Sequence, residues 1–117
     1  MLNSNDANIL VLALLRRRGD EFGNEVYLDR EVEVSKDITV PSTDGQSLNF
    51  TLAAAIRHVD HFRTGKSGHF YCHLLTEQGI FYKSDSTKPL VQSEPSDIRK
   101  CTHFIFHRVV AKDEDYV

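Results

Sequence analysis

At 117 residues, the chain has room for one hydrophobic core and not for two. Forty per cent hydrophobic and 26% charged is the composition of an ordinary globular domain. Its 17 acidic and 14 basic residues leave a net charge of −3, which gives no field for holding nucleic acid.

Residues 1–7 are polar and are expected to form a loose tail. Ile9 to Arg16 opens with seven apolar residues in a row, too few for a helix, and reads as a buried strand. It is far too short to span a bilayer, and it lacks the basic lead and small-residue cleavage site of a signal peptide. Arg16-Arg17-Arg18 reads as a solvated strand end rather than a phosphate-binding patch. Asp20 to Asn24, between and beside Gly19 and Gly23, is a turn. Glu25 to Val34 alternates as a strand, with Arg30 interrupting the apolar stripe. Lys36 to Val40 is a short strand closed by Pro41, and Asp44-Gly45 marks the turn after it.

Leu48 to Val59 carries two signals. Leu52-Ala53-Ala54-Ala55-Ile56 favours a helix by propensity, while the alternation of Leu52, Ala54, Ile56 and His58 and the neighbouring strands favour a strand, which is the reading adopted. Asp60 to Gly68 is a polar loop. Phe70 to Leu75 and Gly79 to Lys83 form a hairpin around Thr76-Glu77-Gln78-Gly79. Ser93 to Asp97 is a helix start, giving one or two turns over Pro95 to Lys100. Thr102 to Val110 closes the fold as a strand, and 112–117 form an acidic tail. The sum is a single domain over 1–117: mainly β, an antiparallel sheet with one short helix. Two cysteines, Cys72 and Cys101, make no disulfide framework and read as reduced thiols of an intracellular protein.

The hairpin brings His69 close to Asp85. A turn centred between Glu77 and Gln78 pairs Leu74 with Phe81 and Cys72 with Lys83. His69 then faces Ser86, with Asp85 one step away. A shift of one residue in one direction would set His69 opposite Asp85, with Cβ atoms ~5 Å apart. A carboxylate there fixes the imidazole tautomer and leaves the other nitrogen free to take a proton, as nucleophilic hydrolases require. A histidine at the start of a strand and an exposed turn aspartate account for the same two residues, and pairing alone favours that plainer reading.

The order of motifs adds to this. Phe50-Thr51-Leu52-Ala53-Ala54-Ala55-Ile56-Arg57-His58, then Ser67-Gly68-His69-Phe70, then Tyr82-Lys83-Ser84-Asp85-Ser86 resembles the histidine box of the ubiquitin-specific proteases. Leu12 to Arg16, Val32-Glu33-Val34 and Thr102 to Arg108 are similar to strands before and after that box. The resemblance covers nearly the whole chain and implies the palm part, the C-terminal third, of a papain-like protease domain. It implies His69 as general base, Asp85 as its orienting acid and Ser86 beside it. Gly68 and Phe70 would line the channel that receives the tail of ubiquitin or a ubiquitin-like protein. The family's cysteine box and its zinc-binding Cys-x-x-Cys pairs have no counterpart here. Two readings follow. One is a half-site whose cysteine comes from a partner or another segment; the other is a catalytically inactive module that binds ubiquitin or another protein.

Neither cysteine reads as a substitute nucleophile. Cys72 lies at odd spacing from His69 on one strand, so the two point to opposite faces, and Cys101 has no helix N-terminus to activate it. His69 with His73, and His103 with His107, have helical metal-pair spacing, but on strands they stand roughly 13 Å apart. No metal and no cofactor is expected. A sheet without its usual partner lobe is expected to be sticky, through Phe62, Phe70, Tyr71 and Leu90, and to dimerise or hold a constitutive partner.

Overall fold

The computed structural model describes residues 8–59, 69–85 and 88–109. Along these run β1 (Ile9–Ala13), β2 (Arg17–Gly19), β3 (Glu25–Tyr27), β4 (Asp37–Pro41), β5 (Ser47–Val59), β6 (His69–Leu75), β7 (Phe81–Asp85), β8 (Lys88–Gln92), α1 (Pro95–Arg99) and β9 (His103–Arg108). The main sheet has the order β1-β9-β5-β6-β7-β8, and β4 also pairs with β5. All its pairs are antiparallel. A separate ribbon joins β2 to β3.

β5 organises the domain. One of its edges carries β9, while the other carries β4 along Ser47–Thr51 and β6 along Ala54–Val59. Pairing on both sides overrides the helix propensity of the alanine run. A bulge against β9 between Leu52 and Ala54 changes the phase of the strand. Leu48, Phe50 and Leu52 before the bulge therefore share a face with Ala55 and Arg57 after it.

Directly paired residues lie on one face of a sheet, so the register maps the core. Phe50 pairs with Ile38, Leu48 with Val40, Leu52 with Phe106 and Ala55 with Phe104. Leu48, Phe50, Leu52, Ala55, Phe104 and Phe106, with Cys101, form the buried cluster, and Ile38, Val40 and, from α1, Ile98 pack on it. Continuing along β5 on the same face, Ala55 pairs with His73, Arg57 with Tyr71 and Val59 with His69. The face is apolar at one end and polar at the other.

Several expectations change. The apolar run at the N-terminus forms a strand, but not a buried one: β1 is a sheet edge, with Ile9 67% and Val11 54% exposed. Arg16 is not a solvated strand end. It is 5% exposed, and its guanidinium donates to the carbonyls of Cys101, Leu28, Arg30 and Arg99. The strand expected from Glu25 to Val34 stops at Tyr27, because the backbone beyond it serves tertiary partners. The Leu28 and Arg30 carbonyls accept from Arg16, and the Val32 amide donates to the Arg99 carbonyl. Pro41 is the last residue of β4 and closes it, as expected. β8 was not foreseen, and its Pro89 fits an edge strand, where no ladder donor is needed. The turn at Asp20–Asn24, the long β5, the hairpin, the short helix and the closing strand stand where the sequence puts them. The tails 1–7 and 112–117 and the loop over 60–68 lie outside the described residues, as does Phe62.

Candidate functional site

β6 and β7 run one residue out of the expected register. Leu75 pairs with Phe81, His73 with Lys83 and Cys72 with Ser84. The shift goes away from the one that would set His69 directly opposite Asp85. One further step of the ladder sets Tyr71 against Asp85, which leaves His69 and Asp85 as diagonal neighbours on the same face. Such a diagonal is within reach of an imidazole. His69 Nε2 lies 3.2 Å from Asp85 Oδ2. A carboxylate only accepts, so Nε2 is the donor in this contact. The His69 side chain is 50% exposed and that of Asp85 only 7%. The arrangement is an accessible imidazole oriented from below by a buried acid. A cavity of about 170 Å³ adjoins Asp85, lined by Lys83, Lys88, Pro89 and Val91.

Phe70, next along β6, points to the opposite face. It is 61% exposed and its ring stacks on His58 at 4.4 Å. His58 is itself buried, in keeping with a structural role. Gly68 and Ser86 lie outside the described residues. Of the expected sticky groups, Phe70 and Leu90 are exposed, but Tyr71 is not.

The thiols are distant in chemistry from His69. Cys72 is on the other face of β6, with Sγ 3.9 Å from the His73 carbonyl oxygen, and burial raises its pKa. Cys101 is fully buried. Burial, with the Asp97 charge adding to it, pushes that thiol up to about 12. Among the described residues no three His, Cys, Asp or Glu side chains are grouped to hold a metal. No described helix is long and apolar enough to cross a membrane.

A polar cluster beside the pair was not anticipated from the sequence. Asp97 of α1 is its centre. Tyr71 Oη donates to Asp97 Oδ2 at 2.6 Å, His73 Nε2 stands 3.2 Å from the same oxygen, and Arg57 Nε is 3.4 Å from Oδ1. Arg57 also forks onto Asp29 at 2.7 and 3.2 Å. His73 Nδ1 contacts Ser93 Oγ at 2.6 Å, and the Lys83 ammonium sits 4.1 Å from the Tyr71 ring centre. Burial by itself would raise the Asp97 carboxyl. The nearby His73 ring nitrogen, the hydrogen bond from Tyr71 and the Arg57 charge outweigh it and bring Asp97 down to about 2. Burial, then the bond to Asp97, moves Tyr71 well above the usual phenol range. The sequence held one signal for the cluster. His69, Tyr71 and His73 alternate along a strand, so polar side chains face inward where they need polar partners. Asp97 reads in the sequence only as part of a helix start.

No family model matches the chain. Ubiquitin carboxyl-terminal hydrolase 17 of Arabidopsis thaliana is 29% identical over 83 residues, which is 68% of this chain and 11% of that protein. Among solved structures, the yeast SAGA DUBm superposes with a TM-score of 0.67 at 16% identity, over 90% of this chain and 24% of that one. The SAGA Ubp8/Sgf11/Sus1/Sgf73 DUB module bound to ubiquitin aldehyde gives 0.66 at 15% identity, over 90% of this chain and 25% of that one. An essential yeast splicing factor gives 0.58 at 14% identity, over 88% and 25%. The chain therefore has a ubiquitin-specific-protease-like fold, in part: it spans about a quarter of the solved chains and a ninth of the curated relative.

Proposed function

We propose that this chain supplies the base half of a thiol hydrolase acting on ubiquitin or ubiquitin-like conjugates. His69 is the general base, Asp85 its orienting acid, with Ser86 beside it. Gly68 and Phe70 belong to the channel for the substrate's tail. The nucleophilic cysteine comes from a partner or another polypeptide segment, since Cys72 faces away from His69 and Cys101 is sealed in the core. The single observation that carries this reading is the 3.2 Å contact between a half-exposed imidazole and a buried carboxylate. With Nε2 held by Asp85, Nδ1 is the nitrogen that takes a thiol proton, and the buried acid stabilises the imidazolium that results.

The test is ubiquitin carrying a thiol-reactive C-terminal warhead, followed by intact mass. The expected result is no adduct on the chain, together with saturable binding of unmodified ubiquitin that perturbs the amide signals of His69 and Phe70. An adduct on Cys72 or Cys101 that disappears in His69→Ala would refute the assignment of the nucleophile. Absence of any binding would refute the substrate.

A second reading, an inactive protein-binding adaptor, is favoured by one finding: the same fold occurs in a chain described as an essential splicing factor. Fold does not fix activity. The adaptor reading predicts that His69→Ala and Asp85→Ala leave ubiquitin binding, and any cysteine-bearing partner's activity, unchanged.

A further inference from the structure

We propose that Asp97 is a positioning residue for the His69–Asp85 pair: by taking the Tyr71 hydroxyl it keeps a competing donor off the Asp85 carboxylate. The inference rests on the reading of His69 and Asp85 given above and concerns how that pair is kept intact.

The register suggests the competition. The β6–β7 ladder runs from Leu75–Phe81 to Cys72–Ser84, and carried one position further it would put Tyr71 opposite Asp85. Directly opposed Cβ atoms stand ~5 Å apart, closer than the diagonal from His69. A phenol is long enough to lean across one strand, and its O–H is a natural donor to a carboxylate. That position would favour Tyr71 as a donor to Asp85, yet it is His69 Nε2 that lies 3.2 Å from the carboxylate. Tyr71 instead gives its proton to Asp97 Oδ2 at 2.6 Å, on the side of α1.

Three further contacts keep the tyrosine there. Its ring lies edge-on to His73, centroids 5.3 Å apart, and His73 reaches the same Asp97 oxygen. The Lys83 ammonium covers the ring face. Arg57, paired with Tyr71 across β5–β6, holds the other Asp97 oxygen. The charged and titratable groups around the two carboxylates come from every packed element. Arg57 belongs to β5, His73 to β6, Lys83 to β7 and Lys88 to β8, the last paired with Asp85. Asp29 and Lys100 flank Arg57 from the irregular segment and the helix end. Among these, Asp97 is the acceptor bonded to the Tyr71 hydroxyl.

A purely structural tether makes a different prediction from a decoy acceptor. If the Tyr71–Asp97 bond served only to anchor β6, deleting either partner would disturb His69, and deleting both would be at least as harmful. If Asp97 is a decoy, removing it alone frees the hydroxyl to displace His69, while removing the hydroxyl as well restores the pair. The measurement is the ring N–H spectrum of His69 in the ¹⁵N-labelled full chain, where a bonded Nε2–H gives a resolved signal and one exchanging with water broadens away. The expected pattern is a signal in the parent chain and in Tyr71→Phe, loss in Asp97→Ala, and return in the double variant Tyr71→Phe/Asp97→Ala. A signal that survives Asp97→Ala, or that stays lost in the double variant, overturns the proposal. So does its loss in Tyr71→Phe, which remains decisive if Asp97→Ala does not fold. Asp85→Ala separates the two levels. If the parent shows no such signal, or Asp85→Ala keeps it, the His69–Asp85 reading itself has failed.

Discussion

Replacing Arg16 is the sharpest test of how the domain is held together, because two chemically identical neighbours serve as controls. Its guanidinium makes four bonds to main-chain carbonyls: Nε to Cys101 at 2.9 Å, one terminal nitrogen to Leu28 and Arg30 at 3.2 and 2.6 Å, and the other to Arg99 at 2.9 Å. Those carbonyls belong to the end of α1, the approach to β9 and the irregular stretch after β3. One side chain thus ties together three segments that share no strand pairing. A hydrogen bond to a charged group is worth about 1.5–3 kcal/mol. Four do not add, because water reaches some of the acceptors once the side chain is gone. Each buried carbonyl left without a donor costs about 1–3 kcal/mol, so a total of about 3–5 kcal/mol is a large share of the roughly 5–15 kcal/mol that stabilises a domain. Arg16→Ala is therefore expected to lose about 3–5 kcal/mol in urea denaturation followed by circular dichroism. Arg16→Lys should lose about 2–3 kcal/mol, since one ammonium cannot span a fork of four acceptors. Arg18→Ala, at an exposed position two residues on, should stay within about 0.5 kcal/mol. Arg16→Lys matching the parent chain, or Arg18→Ala matching Arg16→Ala, would refute the reasoning.

Other outcomes follow from the same geometry. The Asp97 carboxyl is lowered from 3.8 to about 2 in the fold, so the stability it contributes is complete above pH about 4 and is lost as pH falls towards 2. Screening at a carboxylate about a fifth exposed limits this to about 1–2 kcal/mol. Asp97→Asn should flatten that part of the acid denaturation curve, and an unchanged curve would contradict the cluster's role. Phe106 is fully buried and Phe70 is 61% exposed. Phe106→Ala should therefore cost about 3–5 kcal/mol and Phe70→Ala under about 1 kcal/mol, compared by thermal melting with the two variants side by side. Both thiols are raised by burial, Cys101 to about 12, and the thiolate is the reactive form. Iodoacetamide at neutral pH should leave Cys101 unmodified and alkylate Cys72 slowly by intact mass, both reacting fully in urea. Alkylation of Cys72 faster than that of an unstructured cysteine peptide would count against its assignment as inert.

The strands legible in the sequence are those whose partners lie in one sheet and whose alternation is undisturbed. β5, the β6–β7 hairpin and β9 are of this kind, and the motif order placed His69 and Asp85 on neighbouring strands. What was not legible depends on contacts distant in sequence. Arg16, Arg17 and Arg18 are indistinguishable by composition, yet Arg16 is buried against acceptors as far away as Cys101. The alternation after Tyr27 promised a strand, but the Arg16 fork and the Val32 amide's bond to Arg99 claim that backbone. β1 has the apolar content of a central strand and lies at an edge, because burial depends on sheet order and not on hydrophobicity. The polar cluster was missed for a similar reason: Asp97 is separated from Tyr71 and Arg57 by strands and a helix start, and no local spacing links them.

A single turn decides whether the candidate site exists. Side chains alternate along a strand, so a slip of one residue moves a whole strand face. In the register first expected, His69 would have faced Ser86, and Asp85 would have pointed through the sheet to its other side. The observed register is set by the loop from Thr76 to Ile80. There the Thr76 amide and hydroxyl both donate to the Ile80 carbonyl, at 2.9 and 3.0 Å, and the Gly79 amide returns to the Thr76 carbonyl at 2.9 Å. Gly79 has φ of +81°, a conformation open to glycine at little cost and adverse to a side chain. That left-handed residue gives the loop one residue more than a tight two-residue turn would have, and the extra residue brings Asp85 onto the face of His69. Carried one position past Cys72–Ser84, the same register would put Tyr71 opposite Asp85, while the Tyr71 hydroxyl bonds Asp97. Turn, register and pair are consequences of one local backbone choice.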